Sequence, residues 1–372
     1  MNGNRVLGVV FANIHEEALD SLTAMRTMGS VPFCSRYRLI DFPLSNMVDS
    51  GISKIGVVTN ANFQSLMDHV GTGKPWDLSR KNDGLYLLPP FSLKSENIWE
   101  NRIDAIYGNL NFLQQSNQTY VLMSDCDHIL STDYSELFNA HEESGADITI
   151  VGAKSKMPKN IDSVLSFDSV DADGRITEMS LDKDSDGDVF YSCNVMIMKK
   201  YLLETLVTTA HSKNETSFQR DIIMSNVDKL KIYAYDATES FIGTIDSIQS
   251  YYDISMSVLD KDNRKKLFKH TISTKERDDM PTIYGPESSL KNSLVADGCI
   301  IKGEVENCII FKGVKIGKGA KVKDSILMQD TVVGDNTTIN CIIADKNVAI
   351  KDNVELSGAT TFPICLTKNT RI

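Results

Sequence analysis

Toward the C-terminus, single hydrophobic residues return at intervals of about six, at Val314, Ile316, Ala320, Val322, Val332, Val333, Ile339, Val348, Ile350 and Val354. Glycine, asparagine and aspartate separate them, as in Gly317-Lys-Gly319, Gly334-Asp-Asn336 and Asp352-Asn353. A period of about six cannot build a helix. It suits an inward-facing ladder on a triangular parallel β-helix, with turn-forming residues at the corners. A set of irregular β-hairpins is the alternative that the pattern leaves open. One coil of such a solenoid cannot bury its own interior, so coils stack and often carry subunit contacts.

The first 260 residues have a different texture. Runs rich in Val, Ile and Leu at 5–12, 54–59, 120–123 and 147–151 predict strands buried on both faces. Between them, Tyr134–Ser144 carries Leu137, Ala140 and His141 at helical spacing and is stopped by Gly145. Strands alternating with helices predict an α/β domain on a largely parallel sheet. In such sheets ligands bind at the carboxyl ends of strands, which is where Ser124-Asp125-Cys126-Asp127 falls. The expected organisation is therefore an α/β domain over 1–260, a charged connector over 261–289 and the β-helix over 290–372.

A net charge of −11 argues against a nucleic-acid footprint. No apolar run approaches the ~20 residues of a membrane span, and residues 6–12 read as a first buried strand rather than a signal peptide. The seven cysteines are scattered without close pairs, which predicts buried thiols in a reducing cytoplasm.

Residues 31–46 read Val-Pro-Phe-Cys-Ser-Arg-Tyr-Arg-Leu-Ile-Asp-Phe-Pro-Leu-Ser-Asn. This block resembles the one that follows the phosphate loop in glucose-1-phosphate adenylyltransferases. Gly-Thr-Gly-Lys-Pro-Trp-Asp-Leu at 71–78, Leu88-Pro89-Pro90, Asp104-Ala105-Ile106-Tyr107, Asp173-Gly174-Arg175-Ile176 and Gly243-Thr244 are also similar. The resemblance covers nearly the whole chain. It implies a nucleotidyltransferase-like, Rossmann-like domain followed by a left-handed parallel β-helix. The family makes ADP-glucose from ATP and glucose 1-phosphate, using Mg²⁺.

The residues that would carry that chemistry have changed. The family's phosphate loop runs Gly-Gly-x-Gly-x-Arg-Leu, followed by Lys-Pro; here Asn13, Ile14, His15, Glu16, Glu17, Ala18 and Leu19 stand there, with Met28-Gly29 in place of Lys-Pro. A polyphosphate needs backbone N–H groups at close range and cationic side chains. Two carboxylates at short range supply the reverse, a repulsion of roughly 1–4 kcal/mol each. The loop then reads as an ordinary solvated turn with His15 exposed. Asp127 matches the family's first metal-binding aspartate, while Phe241 stands at the position of the second. Asp125 can compensate, because residues two apart on a strand point the same way. The family's Glu-Lys-Pro of the sugar-phosphate pocket becomes Leu181-Asp182-Lys183, and Asn194 replaces a usual glycine, leaving Asp104, Asp127 and Asn194 as a residual pocket. Arg26 (flanked by Met25 and Met28), Arg36 and Arg38 are the candidate anion or effector ligands, a phosphorylated sugar being the implied effector. Structural pairing of Arg36 and Arg38 with Asp41 is the competing reading.

This selective loss resembles the GlgD-type branch of the family. It implies a catalytically impaired subunit that modulates an active adenylyltransferase partner in a mixed tetramer, with Mg²⁺ in the partner and no cofactor in this chain. The alternative is an active nucleotidyltransferase or nucleotide-sugar glycosyltransferase using Asp125 and Asp127 together.

Overall fold

The computed structural model describes residues 3–90, 99, 101–185 and 187–372. The first domain is built on strands β1 (Val6–Phe11), β2 (Lys54–Val58), β3 (Gly84–Leu88), β4 (Tyr120–Asp125), β5 (His128–Ser131), β6 (Ile148–Lys156), β7 (Leu165–Val170), β8 (Ile176–Leu181), β9 (Asp188–Lys199), β10 (Ile232–Asp236) and β11 (Phe241–Thr244). Every residue of β1 and β4 is buried, as their continuous apolar runs require of parallel strands covered on both faces. The main sheet runs β8-β7-β9-β4-β1-β2-β3, with β6 beside β9 and β10 beside β6. It is parallel from β3 to β4 and antiparallel where β9 meets β4, β6 and β7, so the sheet is mixed rather than largely parallel. The helix Tyr134–Ser144 forms with the expected bounds and ends on Gly145 at φ 60°, the left-handed conformation glycine adopts most readily.

Two details of the sheet place the site. Phe11 at the end of β1 lies in register with Asp125 at the end of β4, so the loop leaving β1 emerges beside the aspartates. β5 then pairs with β11, and the ladder continues through the Ile245 N–H, which donates to the Asp127 carbonyl at 2.8 Å.

The second domain is a solenoid of three five-stranded parallel sheets. Its first strand is Ile283–Tyr284, inside the segment expected to be connector, and Lys261–Leu267 of that segment is a helix N-capped by Asp260. Val305, Ile316, Val322, Val333, Ile339 and Ile350 fill the interior, which accounts for the hydrophobic period. One column of corners stacks Asn292, Asn307, Asp324 and Cys341, all at φ between 44° and 53°. Asparagine and aspartate tolerate that conformation better than other side chains. Here they also bond along the column, Asn292 Nδ2 to Asn307 Oδ1 at 2.9 Å and Asn307 Nδ2 to Asp324 Oδ1 at 3.1 Å.

The two domains share one core. Ile309, Phe311, Ile326, Met328 and Ile343 of the solenoid pack in the same hydrophobic cluster as Val31, Phe33 and Tyr251. Tyr251 donates its hydroxyl to the Pro32 carbonyl at 2.6 Å, and Tyr252 donates to the Asp324 carbonyl at 2.7 Å. Arg26 reaches across to Asp345 in a buried ion pair.

Candidate functional site

The loop that follows β1 turns on His15, which takes the left-handed conformation at φ 59° and opens a short 3₁₀ turn over Glu16–Leu19. That turn sends the imidazole back over the strand ends. His15 Nδ1 lies 2.7 Å from Asp127 Oδ2, and His128 Nδ1 lies 2.7 Å from Asp127 Oδ1. Both oxygens of the completely buried Asp127 are thus engaged. Burial alone would raise its pKa, but the charge and hydrogen bonds of the two imidazoles outweigh this and hold it well below the usual carboxylate range. Burial likewise pulls His15 down, yet Asp127 outweighs it and raises the imidazole above 6.5. His15 is therefore not the exposed residue that the loop composition predicts.

Asp125 shares this pocket, as the two-residue spacing on the strand end predicts. One ligand atom from each of His15, Asp125 and Asp127 lies within 4.8 Å of the others. Arg102, at the start of the helix Arg102–Gly108, is ion-paired with Asp125 and nearly out of solvent. Burial pushes Asp125 up despite that guanidinium. Mg²⁺ demands near-octahedral oxygen ligation. Here both oxygens of one carboxylate accept from imidazoles and one oxygen of the other is paired with Arg102, which leaves Asp125 Oδ1 alone without a partner among the described residues, so the donor set as arranged does not fit the ion. Phe241 is not among the residues of this cluster. It pairs with Ser131, four residues along the ladder from Asp127, and its ring is buried in the core.

The rest of the residual pocket disperses. Asp104 and Asn101 cap a helix reciprocally, Asn101 Oδ1 accepting the Asp104 N–H at 2.9 Å and Asn101 Nδ2 donating to Asp104 Oδ2 at 2.7 Å. Asn194 is buried at a bulge of β9 with φ 53°, a conformational reason for the glycine usual there. Lys183 is tied to Asp168 at 2.6 Å, and Asp182 accepts the N–H groups of Ser163 and Val164. Glu16 folds inward to accept the Met28 N–H at 3.3 Å, and burial raises its carboxyl to about 7. Asn13, Ile14 and Ala18 line, with it, an open cleft of about 710 Å³ over the strand ends. Met28 is buried in the core.

The three candidate arginines also separate. Arg26 is buried against Asp345 between the domains and is not a free anion ligand. Arg38 donates to the Ser65 carbonyl at 2.7 Å and to its hydroxyl at 2.9 Å, while the Asp41 carboxylate takes the Arg38 backbone N–H and His69. Both arginines 36 and 38 nevertheless line a second cavity, of about 210 Å³, between the domains. Six cationic side chains meet there: Arg36, Arg38, Lys275, Arg277, Lys312 and Lys346. Asp279 offsets Arg277 and Lys312, at 3.0 and 3.7 Å. Burial first, then Arg38 and Arg26, depress Lys346 to about 7.

Sequence reasoning missed His15, Arg102 and Lys346. A histidine in place of a glycine-loop residue is a signal for the first. The others become visible only when distant segments meet.

An α/β domain with its cleft at the strand ends, followed by a hexapeptide solenoid, is the architecture of a nucleotidyl transferase family fold with a hexapeptide-repeat domain. Residues 17–261 match the nucleotidyl transferase family model, and 282–359 match the GlmU-like C-terminal hexapeptide model. The glycogen biosynthesis protein GlgD of Bacillus subtilis is 33% identical over 99% of this chain and 97% of its own length. GlgD of Geobacillus stearothermophilus is 35% identical over 86% of this chain and 83% of its own. The glucose-1-phosphate adenylyltransferase of the same organism is 32% identical over 86% and 83%. The chain belongs to the glucose-1-phosphate adenylyltransferase family and is of the GlgD type.

Proposed function

We propose that this chain is a catalytically impaired subunit that modulates an active glucose-1-phosphate adenylyltransferase in a mixed tetramer, serving glycogen synthesis. The observation that carries this reading is the closure of the metal position. Asp127 is held by His15 and His128, and His15 comes from the very loop that would otherwise approach the triphosphate. With Arg102 on Asp125, protein cations stand where a divalent ion would neutralise developing charge. In this reading the chain uses no cofactor of its own, and Mg²⁺ acts in the partner. The shared core lets the solenoid transmit a contact at one surface to the other domain, the differential contact that modulation requires. The chain is proposed to work in the cytoplasm, supported by seven unpaired cysteines and, among the described residues, no helix long and apolar enough to cross a membrane.

ADP-glucose synthesis from ATP and glucose 1-phosphate tests this, with the chain alone, the catalytic subunit alone, and the two mixed. No turnover alone, with an altered rate or effector response in the mixture, is the expected result. Mg²⁺-dependent turnover by the chain alone would establish instead an active enzyme using Asp125 and Asp127.

The cationic cavity between the domains is proposed to receive a phosphorylated sugar as effector. Guanidinium and ammonium groups from both domains converge there, so an anion bound between them would alter how the domains meet. Lys346 makes the binding pH-dependent. A phosphate favours its charged form and raises its pKa from about 7, so binding takes up a proton and weakens as pH rises above that value. Calorimetric titration with fructose 1,6-bisphosphate in buffers of different ionisation enthalpy should show proton uptake at pH 8 and much less at pH 6. Equal heats in every buffer would remove Lys346 from the site.

A further inference from the structure

We infer that the cleft over the strand ends binds an uncharged, hydroxyl-rich ligand, a saccharide, rather than a nucleotide or a sugar phosphate. This goes beyond the proposed loss of catalysis but rests on it, since it assumes that the cleft no longer holds a triphosphate. The cleft has not collapsed. Its volume of about 710 Å³ is typical of a small-molecule site.

Its charges are wrong for phosphate. Of the cations on its wall, Arg102 is committed to Asp125, and Arg220 is paired with Asp221 at 2.7 and 3.1 Å. The carboxyls of Glu16, Glu17 and Asp162 also line it. A phosphate would meet those acids while the charge of each arginine on the described wall is already offset by a carboxylate.

Its polar atoms are right for hydroxyls. Asn60 Oδ1, an acceptor, and Arg102 Nε and Nη1, both donors, are buried without a partner among the described residues. Arg102 itself is only 6% exposed. A buried polar atom left unpaired costs about 1–3 kcal/mol, so a ligand that satisfies these atoms gains affinity. A hydroxyl donates and accepts at once and can serve both kinds of atom, whereas an ionised phosphate group only accepts, so it is the hydroxyls of a ligand that match Asn60 Oδ1. Asn13 and Gln219 add further carboxamides without net charge. Trp99, only partly buried, offers an apolar face against which the C–H surface of a pyranose packs.

The probes are glucose and maltotriose, titrated calorimetrically into the full chain, with glucose 1-phosphate and ATP–Mg²⁺ in parallel. Tryptophan fluorescence gives a second readout, because the chain has two tryptophans and Trp76 is buried in the core, leaving Trp99 to report the cleft. Saturable binding of either neutral sugar supports the inference. Maltotriose at least tenfold tighter than glucose identifies a glucan chain end, and comparable affinities identify a free sugar. Trp99→Ala should weaken binding about tenfold, while Trp99→Phe should keep the calorimetric signal and lose the fluorescence change. No saturation by either sugar up to a Kd of about 1 mM overturns the inference. So does binding of ATP or glucose 1-phosphate in preference to the neutral sugars. Turnover of those two by the chain alone, read in the same samples, is the separate outcome that overturns the impaired-enzyme reading.

Discussion

Asp345→Ala should destabilise the whole chain by about 3–5 kcal/mol, the scale set by breaking one side of a buried ion pair. Arg26 and Asp345 belong to different domains and keep only 3% and 2% of their side-chain surface in solvent. Removing the carboxylate strands a guanidinium whose Nη1 already has no partner among the described residues. Asp345 Oδ1 also accepts the Lys346 N–H at 2.7 Å, so the loss reaches the wall of the cationic cavity. Because the hydrophobic cluster runs through both domains, the loss should appear as a lower midpoint of one cooperative urea transition, not as separate release of the solenoid. The double replacement Arg26→Met with Asp345→Leu should recover much of it, since apolar residues of similar volume often substitute for a buried pair without penalty. A loss under about 1 kcal/mol in the single variant would place the pair in solvent-screened surroundings.

Asp127→Asn should separate stability from activity. If Asp127 is a structural acceptor for His15 and His128, asparagine removes the charge that both imidazoles face and should cost about 2–4 kcal/mol. The mixed complex should keep its rate of ADP-glucose synthesis per assembled particle. A working metal aspartate behaves in the opposite way. Its replacement relieves repulsion from Asp125, tends to stabilise the protein, and cuts activity about a hundredfold or more. The pH profile carries the same distinction. Asp127 is depressed, so its contribution is present above about pH 4 and lost as acid titrates it below that value. His15 is raised above 6.5, so its contribution is complete below 6.5 and lost as pH rises through the raised value. Melting temperatures of the native chain should therefore decline on both sides of neutrality, and Asp127→Asn should flatten both flanks. Unchanged flanks in the variant would show that the imidazoles do not hold the carboxylate.

Local patterning foretold the elements well. The strands at β1, β2 and β4 and the helix before Gly145 follow from apolar runs, helical spacing and one left-handed glycine, all of which act within a few residues. The hydrophobic period likewise announced the solenoid, because each coil sees the same neighbours as the last. The start of that solenoid was misjudged, since Ile283–Tyr284 carries the ladder's hydrogen bonds before the hydrophobic period is established. The antiparallel half of the main sheet was also missed. A buried strand shows the same apolar run whichever way its neighbours point.

For the site, the resemblance to the family's motif implied a phosphate loop without its glycines and its arginine, and the two-residue spacing implied that Asp125 and Asp127 would face the same way. They did not establish what stands in their place. His15 looked like a solvated loop residue because its partner is 112 positions away. Arg26, Arg36 and Arg38 looked equivalent because they lie close together in the chain. Tertiary structure divided them, burying Arg26 against Asp345 and leaving the other two on a cavity with lysines from the connector and the solenoid. The physical reason is one of range. Hydrophobic period and backbone conformation are set by near neighbours, whereas the charge state and purpose of an ionisable side chain are set by whichever groups the fold brings within a few ångströms of it.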